Sequence, residues 1–301
     1  MRWYFAIDEA GGLGETGALA RLMVLSARAI GGLEPILLYH GSPTIFTEWM
    51  QRHGVRIVPV RPRFLDMFAQ AQAAGTFLPY SIGHWLRLEI PDIEREHDFV
   101  LYTDCDIIFL RRFDLSMLRP KVFAAAPEML PENWNYFNSG VMLLNIPAMR
   151  ATYPALEEQI KHRIFAGDML RYDDQLALNE AYHGLWDQLD PLFNYKPYWP
   201  FTSCAAILHL HGPKPGNLEA MTSGQWHGQD PTSVFFGKML NANSRHYLDW
   251  CSWLGDFLQN VDFSEAIRFA RLASALTRYR REAPANTDSG FMNLKMFAEA
   301  P

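Results

Sequence analysis

The chain has 301 residues, with 27 Lys+Arg against 33 Asp+Glu, a formal net charge of −6, 49% apolar and 20% charged residues. That is an ordinary globular balance, long enough for one large α/β domain or two smaller ones. It excludes a disordered chain and, because no general positive field exists, a bulk nucleic-acid binder.

The pattern predicts a short apolar strand over 3–7 and a helix over 16–30, with Leu19, Leu22, Met23, Ser26 and Ile30 on one face. Gly31 and Gly32 stop that helix. A second strand over 35–39, a helix opened by Ser42-Pro43 and ended by Gly54, and a third strand over 55–60 follow. This alternation signals an open α/β fold with parallel strands. Further helices are expected over 64–74 and 82–90, the latter closed by Pro91. Strands are expected over 99–102, 107–110, 122–126 and 141–144, then helices over 147–164 and 173–182. A late strand over 205–210 runs into Gly212-Pro213-Lys214-Pro215-Gly216, and from Ser244 only helices are read. The organisation is a catalytic-type domain over 1–240 and a helical C-terminal segment over 241–301. Residues 1–7 are too short for a signal-peptide core, and no apolar run approaches the ~20 residues that span a bilayer. Cys105, Cys204 and Cys251 give no disulfide framework, so a cytoplasmic, reducing setting is expected.

Gly12, Gly14 and Gly17 form a literal GxGxxG between a strand and a helix, the dinucleotide fingerprint. Four residues separate the strand from the first glycine, and no acid ends the second strand, so a flexible glycine-rich loop is the plainer reading. Asp8, at the carboxyl end of the first strand, is placed to face a ligand crevice. The strongest local feature is Tyr102-Thr103-Asp104-Cys105-Asp106-Ile107-Ile108. Two carboxylates two residues apart after a buried strand can converge on one hard divalent cation, which in turn binds a diphosphate. A polar turn between strands would use the same residues. His209, or His211 in its place, offers a third ligand suited to Mn²⁺ beside carboxylates. Gly212 permits close backbone approach, and Lys214 is a point charge suited to phosphate. Asn138 and Ser139 can hydrogen-bond sugar hydroxyls, or cap a turn. Asp173, Asp174 and Gln175 open a helix, where acids also serve as caps.

Taken in order, YTDCDIIF, FNSGVMLLN, DDQLALN and LHLHGPKPG resemble the retaining GT-A glycosyltransferases of the glycogenin and bacterial lipopolysaccharide galactosyl- and glucosyltransferase family, family 8. The resemblance runs over about 3–216. It implies a nucleotide-diphospho-sugar transferase fold with a mixed central sheet, a UDP-sugar donor such as UDP-glucose or UDP-galactose, and Mn²⁺, with Mg²⁺ as the substitute. By that resemblance Asp104, Asp106 and His209 look like the metal ligands, and Gly212 and Lys214 like diphosphate contacts. Ala6 and Asp8 match the uridine-binding strand end, Arg87, Asn138 and Ser139 the donor contacts, and Asp174 and Gln175 the pair facing the sugar ring. Three positions depart from the family pattern. Leu176 replaces an acid, one residue instead of two separates Gly212 from Lys214, and Gly216 stands where Trp is usual. Without an acid at 176, front-face attack assisted by a donor-phosphate oxygen is preferred over double displacement through Asp174. The implied acceptor is a saccharide or glycolipid, and no nucleic acid is expected as a partner. A nucleotide-sugar binder without turnover and a metal-dependent phosphohydrolase of nucleotide diphosphates are the competing readings. Residues 64–80 are the expected lid or acceptor loop.

The C-terminal segment carries a stripe of Phe269, Leu272, Ala273, Leu276 and Tyr279, with Arg268, Arg271, Arg278 and Arg281 opposite, and a second stripe of Trp250, Trp253, Leu254 and Phe257. Such faces suit either packing on the catalytic domain or peripheral contact with the inner face of a membrane.

Overall fold

The computed structural model describes residues 1–77, 82–169 and 172–282. Strand and helix alternate first: β1 (Arg2–Asp8), α1 (Glu9–Leu13), α2 (Glu15–Ile30), β2 (Glu34–His40), α3 (Ile45–Arg52) and β3 (Arg56–Pro59). Then come α4 (Leu65–Ala73), α5 (Ile82–Trp85), a 3₁₀ turn over Leu86–Glu89, and α6 (Ile90–Ile93). Four strands follow, β4 (Phe99–Thr103), β5 (Ile107–Phe109), β6 (Phe123–Pro127) and β7 (Phe137–Asn145). The chain continues through α7 (Ile146–Phe165), α8 (Asp174–Ala181), β8 (Asp187–Gln188), β9 (Ile207–His209), α9 (Pro215–Thr222), α10 (Pro231–Phe257) and α11 (Phe263–Glu282).

The central sheet has seven strands in the order β3-β2-β1-β4-β7-β6-β8. β1, β2, β3 and β4 run parallel, while β7 is antiparallel to both β4 and β6. β1 is apolar along nearly its whole length because helices cover both faces of a parallel strand. Its pleat sends Tyr4 to one core and Trp3, Phe5 and Ile7 to the other. β5 leaves this sheet and pairs antiparallel with β9, aligning Ile107 with His209. That second, two-stranded sheet brings the late His strand beside the break between β4 and β5.

Four sequence expectations change. The glycine-rich stretch is helical rather than a loop: the Asp8 side chain accepts from the Gly11 N–H at 2.8 Å and caps α1. A Cβ on Gly17 would overlap the Gly12 carbonyl, so these glycines serve the close packing of α1 on α2. Pro91 sits in the first turn of α6 rather than closing a helix, where its missing N–H costs nothing. The aromatics that suggested a lid are core. Phe68 stacks on Phe77 at 4.4 Å between ring centres and lies against Trp85, all buried. Opening that segment would re-expose rings worth ~1.5–3 kcal/mol each. Residues 78–80 of the expected lid lie outside the described residues.

The C-terminal helices begin earlier than Ser244, at Pro231, so residue 240 falls inside α10. The backbone leaves helical geometry at Asn243 (φ −131°, ψ 23°). Beyond that kink α10 and α11 form a hairpin whose apolar stripes meet. Trp250, Cys251, Leu254, Phe269, Leu272 and Leu276 are buried in one cluster with Leu19 and Leu22 of α2 and Leu208 of β9. Intramolecular packing therefore takes up the apolar stripes that a membrane-surface helix would need, and Arg268 is tied to Glu15, Glu219 and Glu265. Phe263 and Ile267 are the exposed large apolar side chains of α11. Among the described residues no helix is long and apolar enough to cross a membrane.

Candidate active site

β4 ends at Thr103 and β5 begins at Ile107, so Asp104 and Asp106 occupy the break where the chain passes from one sheet to the other. His209 is the last residue of β9, opposite Ile107. One ligand atom from each of Asp104, Asp106 and His209 lies within 4.8 Å of the others. Two carboxylates and an imidazole are the hard oxygen and nitrogen donors that suit Mn²⁺ or Mg²⁺, so the residues present fit a divalent cation. His211, the rival ligand, has both nitrogens engaged elsewhere: Nδ1 lies 3.0 Å from the Tyr198 hydroxyl and Nε2 is 3.0 Å from Glu128 Oε1.

Lys214 Nζ pairs with Asp106 Oδ2 and donates to the Leu210 carbonyl at 2.8 Å, so the shortened Gly-Lys spacing still reaches the acidic pair. Burial opposes the charge on Asp106, but Lys214 and His209 together hold its carboxyl well below the ordinary range. Burial pushes the His209 imidazole below its usual value against the pull of Asp106. A neutral imidazole beside an ionised carboxylate is the state in which both can donate lone pairs to a cation.

Arg87 organises the opposite side. Its Nη2 donates to Asp104 Oδ1 at 2.8 Å, and its Nη1 to the Ser139 carbonyl and hydroxyl at 2.7 and 2.8 Å. The guanidinium lies over the Tyr102 ring, 4.6 Å from its centre. Its Nε is 2.8 Å from Asp174 Oδ2, but the Nε–H is directed to the His84 carbonyl, leaving Oδ2 with ionic attraction and no hydrogen bond. Burial consequently raises the Asp174 carboxyl to about 6, with Arg87 opposing the rise. The folded protein thus binds this proton more tightly than the unfolded chain, whose Asp titrates near its ordinary 3.8. Asp174's contribution to stability should therefore fall as pH rises through that window, by about 3 kcal/mol, while His209, lowered in the fold, works in the opposite direction. The difference in urea midpoints between the metal-free wild type and Asp174→Asn, followed between roughly pH 4 and pH 7, should show the Asp174 slope.

Gln175 is locked by hydrogen bonds. Its Oε1 accepts from the Ser139 N–H at 2.8 Å and from Asn138 Nδ2 at 3.2 Å, while its Nε2 donates to Glu128 Oε2 at 3.1 Å. Glu128 also accepts from Asn138 Nδ2 at 2.6 Å. Burial works against its charge, yet His211, Lys196 and Asn138 bring its carboxyl down to about 2. Lys196, fully buried, donates to the Pro127 carbonyl at 2.9 Å, and burial lowers it to about 7.

The structure therefore joins Asp104, Asp106, His209, Lys214, Arg87, Asn138, Ser139, Asp174 and Gln175 in one network. Ala6 touches it through its carbonyl, which accepts from Cys105 Sγ at 3.3 Å. Asp8 caps α1 through Oδ1 and lies against Gly83, where a Cβ would come within 3.3 Å of the Asp8 nitrogen. Gly212 has φ +86°, and a Cβ there would meet Met239 at 2.9 Å. Its close approach is to α10. Sequence reasoning missed Glu128, Asn194 and Lys196. Glu128 had a signal, an acid at the end of an apolar strand like Asp104. Asn194 and Lys196 had none, lying in irregular chain between β8 and β9.

No family model and no curated protein sequence matches the chain. Solved structures do match in fold. The galactosyltransferase LgtC, crystallised with donor and acceptor sugar analogs, aligns at 20% identity and TM-score 0.55 over 79% of this chain and 95% of its own. The glycosyltransferase GlyE of Streptococcus pneumoniae TIGR4 aligns at 20% identity and TM-score 0.54, over 86% of this chain and 63% of its own. The bifunctional glycosyltransferase WbbM gives 15% identity and TM-score 0.50 over 79% and 51%. The chain has a mixed α/β fold of the GT-A glycosyltransferase type, with a helical C-terminal region.

Proposed function

We propose that the protein is a retaining glycosyltransferase that moves a hexose from UDP-glucose or UDP-galactose to a hydroxyl of a saccharide or lipid-linked saccharide. The observation that supports this most is the convergence of Asp104, Asp106 and His209 beside Lys214, with the Arg87–Gln175 network adjoining. Asp104, Asp106 and His209 would hold Mn²⁺, or Mg²⁺, which when bound supplies positive charge for the departing diphosphate. Lys214 would release Asp106 and clamp the same oxygens, because it already reaches Asp106 beside the cation site. Ala6 and Asp8 would meet the uridine, Gly212 would lend its backbone to the diphosphate, and Arg87, Asn138 and Ser139 would position the donor.

In the chemical step the bond from the anomeric carbon to the diphosphate oxygen breaks, and its electron pair leaves with UDP. The acceptor oxygen attacks the same face, and its proton passes to the leaving phosphate oxygen. Leu176 offers no nucleophile. Asp174 is bound to Arg87 and half protonated near pH 6, which makes it a poor one. Gln175, fixed on both ends by Ser139 and Glu128, would orient the sugar ring for front-face attack. A lipid-linked acceptor would place the protein peripherally at the inner face of a membrane without insertion of α10 or α11.

Thermal unfolding with a panel of UDP-hexoses, with and without Mn²⁺, tests the reading. A donor at a hundredfold its Kd should stabilise the fold by ~2.7 kcal/mol, and only with Mn²⁺ present. Absence of any shift across the panel would refute donor binding. Transfer to a defined saccharide acceptor separates a transferase from a binder without turnover.

A further inference from the structure

His209 is 2% exposed, and its ring is held from two directions. A Cβ on Gly140 would overlap His209 Cε1, so β7 passes directly against the imidazole edge. Its Nδ1 lies 2.9 Å from Asn194 Oδ1, and its Nε2 faces Asp106 Oδ1 at 3.3 Å. The direction of every hydrogen bond in this chain can be deduced from its far end. The Gly140 backbone N–H can only donate, and it meets Asn138 Oδ1 at 3.0 Å. The other end of the Asn138 amide meets Glu128 Oε2, an ionised carboxylate that can only accept. Both fixed points give Asn138 the same orientation.

Asn194 then has no choice. The atom it turns to Asn138 Oδ1, at 2.8 Å, must be its NH₂ group, so its oxygen faces His209. An oxygen acceptor there requires the His209 proton on Nδ1 and leaves the Nε2 lone pair turned to the acidic pair. Asn194 is itself fully buried, away from bulk water.

We propose that Asn194 is a positioning residue that fixes the Nδ1–H tautomer of His209 and so aims the Nε2 lone pair at a divalent cation shared with Asp104 and Asp106. His209 Nε2 and Asp106 Oδ1 face each other at 3.3 Å, and with Nε2 bare both can give a lone pair to one cation. The same chain of amides, Asn194 to Asn138 to Gln175, ties this orientation to the residue assigned to the sugar ring. The inference rests on the divalent-cation reading of the site.

Nitrogen NMR of the metal-free wild-type protein near neutral pH reads the tautomer directly, with the His209 signals identified by their loss in His209→Gln. Nδ1 is expected to carry the proton and Nε2 to be bare. Manganese EPR titration then reads affinity. Asn194→Leu, which deletes the acceptor, should weaken Mn²⁺ binding about 10–100-fold. Asn194→Gln, which keeps both an oxygen for Nδ1 and an NH₂ for Asn138 on a longer arm, should restore part of that loss. An Nε2–H tautomer in the wild type overturns the proposal, and so does an Asn194→Leu protein that binds Mn²⁺ as tightly as the wild type. If Asn194→Leu does not fold, the wild-type spectrum decides. A wild-type protein that binds no Mn²⁺ at all refutes the cation reading instead, while its NMR spectrum still reports the tautomer.

Discussion

Asp106→Ala is expected to abolish turnover while leaving the protein folded. Asp106 is engaged through both oxygens, bound to Lys214 through one and facing His209 through the other. Without it the proposed cation site would keep one acid and one imidazole, and Lys214 would lose the partner that holds it beside the proposed leaving group. Removing an electrostatic element of this kind from a preorganised site lowers turnover on the order of 10³-fold. The stability effect should be smaller, because Lys214 retains the Leu210 carbonyl and partial contact with solvent. Two measurements separate the effects: glycosyl transfer, and the thermal shift produced by UDP with and without Mn²⁺. An Asp106→Ala protein that keeps wild-type Mn²⁺ dependence would remove Asp106 from the metal site.

Arg87→Met should show the reverse balance, with a large loss of stability before any ligand is added. The guanidinium compensates Asp104 and the buried Asp174 at once, and satisfies the Ser139 carbonyl and hydroxyl. Met fills similar volume but leaves Asp174, 3% exposed, with no counter-charge at contact distance. Breaking a buried pair from one side costs ~3–5 kcal/mol, a large share of the ~5–15 kcal/mol that holds a domain folded. The cost arises from the stranded carboxylate, so adding Asp174→Asn to Arg87→Met should recover a good part of it. Urea denaturation of the two single variants and the double variant gives that coupling directly. Additive losses would mean that Arg87 and Asp174 do not stabilise each other.

The order of strands and helices was legible because each rests on local patterning. The run Trp3-Tyr4-Phe5-Ala6-Ile7 can hardly be anything but a strand covered on both faces, and Gly31 ends α2 in the left-handed region, at φ +71°. The glycine-rich segment misled because Asp8 can serve as a cap or a ligand, and glycines permit helix packing as readily as a phosphate loop. Nothing local distinguishes those uses. The aromatic segment over 64–77 misled for a related reason: the rings Phe64, Phe68 and Phe77 would suit a lid as well as a core, and only the presence of Trp85 beneath them decides it.

By itself, the sequence determined that a buried strand ends in two acids two residues apart, that a second strand ends in histidine, and that a lysine follows shortly after; that the lysine reaches Asp106 came from the structure. Those features follow from strand ends and residue chemistry, which are local. The tertiary structure alone decided which histidine joins the acids, because His209 and His211 differ only in what surrounds them. It also supplied Glu128, Asn194 and Lys196, whose partners are distant in sequence: Asn194 meets Asn138 across 56 positions and Lys196 meets Pro127 across 69. The two C-terminal stripes were visible from periodicity, but a stripe says only that a face must be covered. That α10 and α11 cover each other, and do so against α2 and β9, is a property of packing, since hydrophobic burial is non-directional and carries no record in one segment of the segment that will meet it.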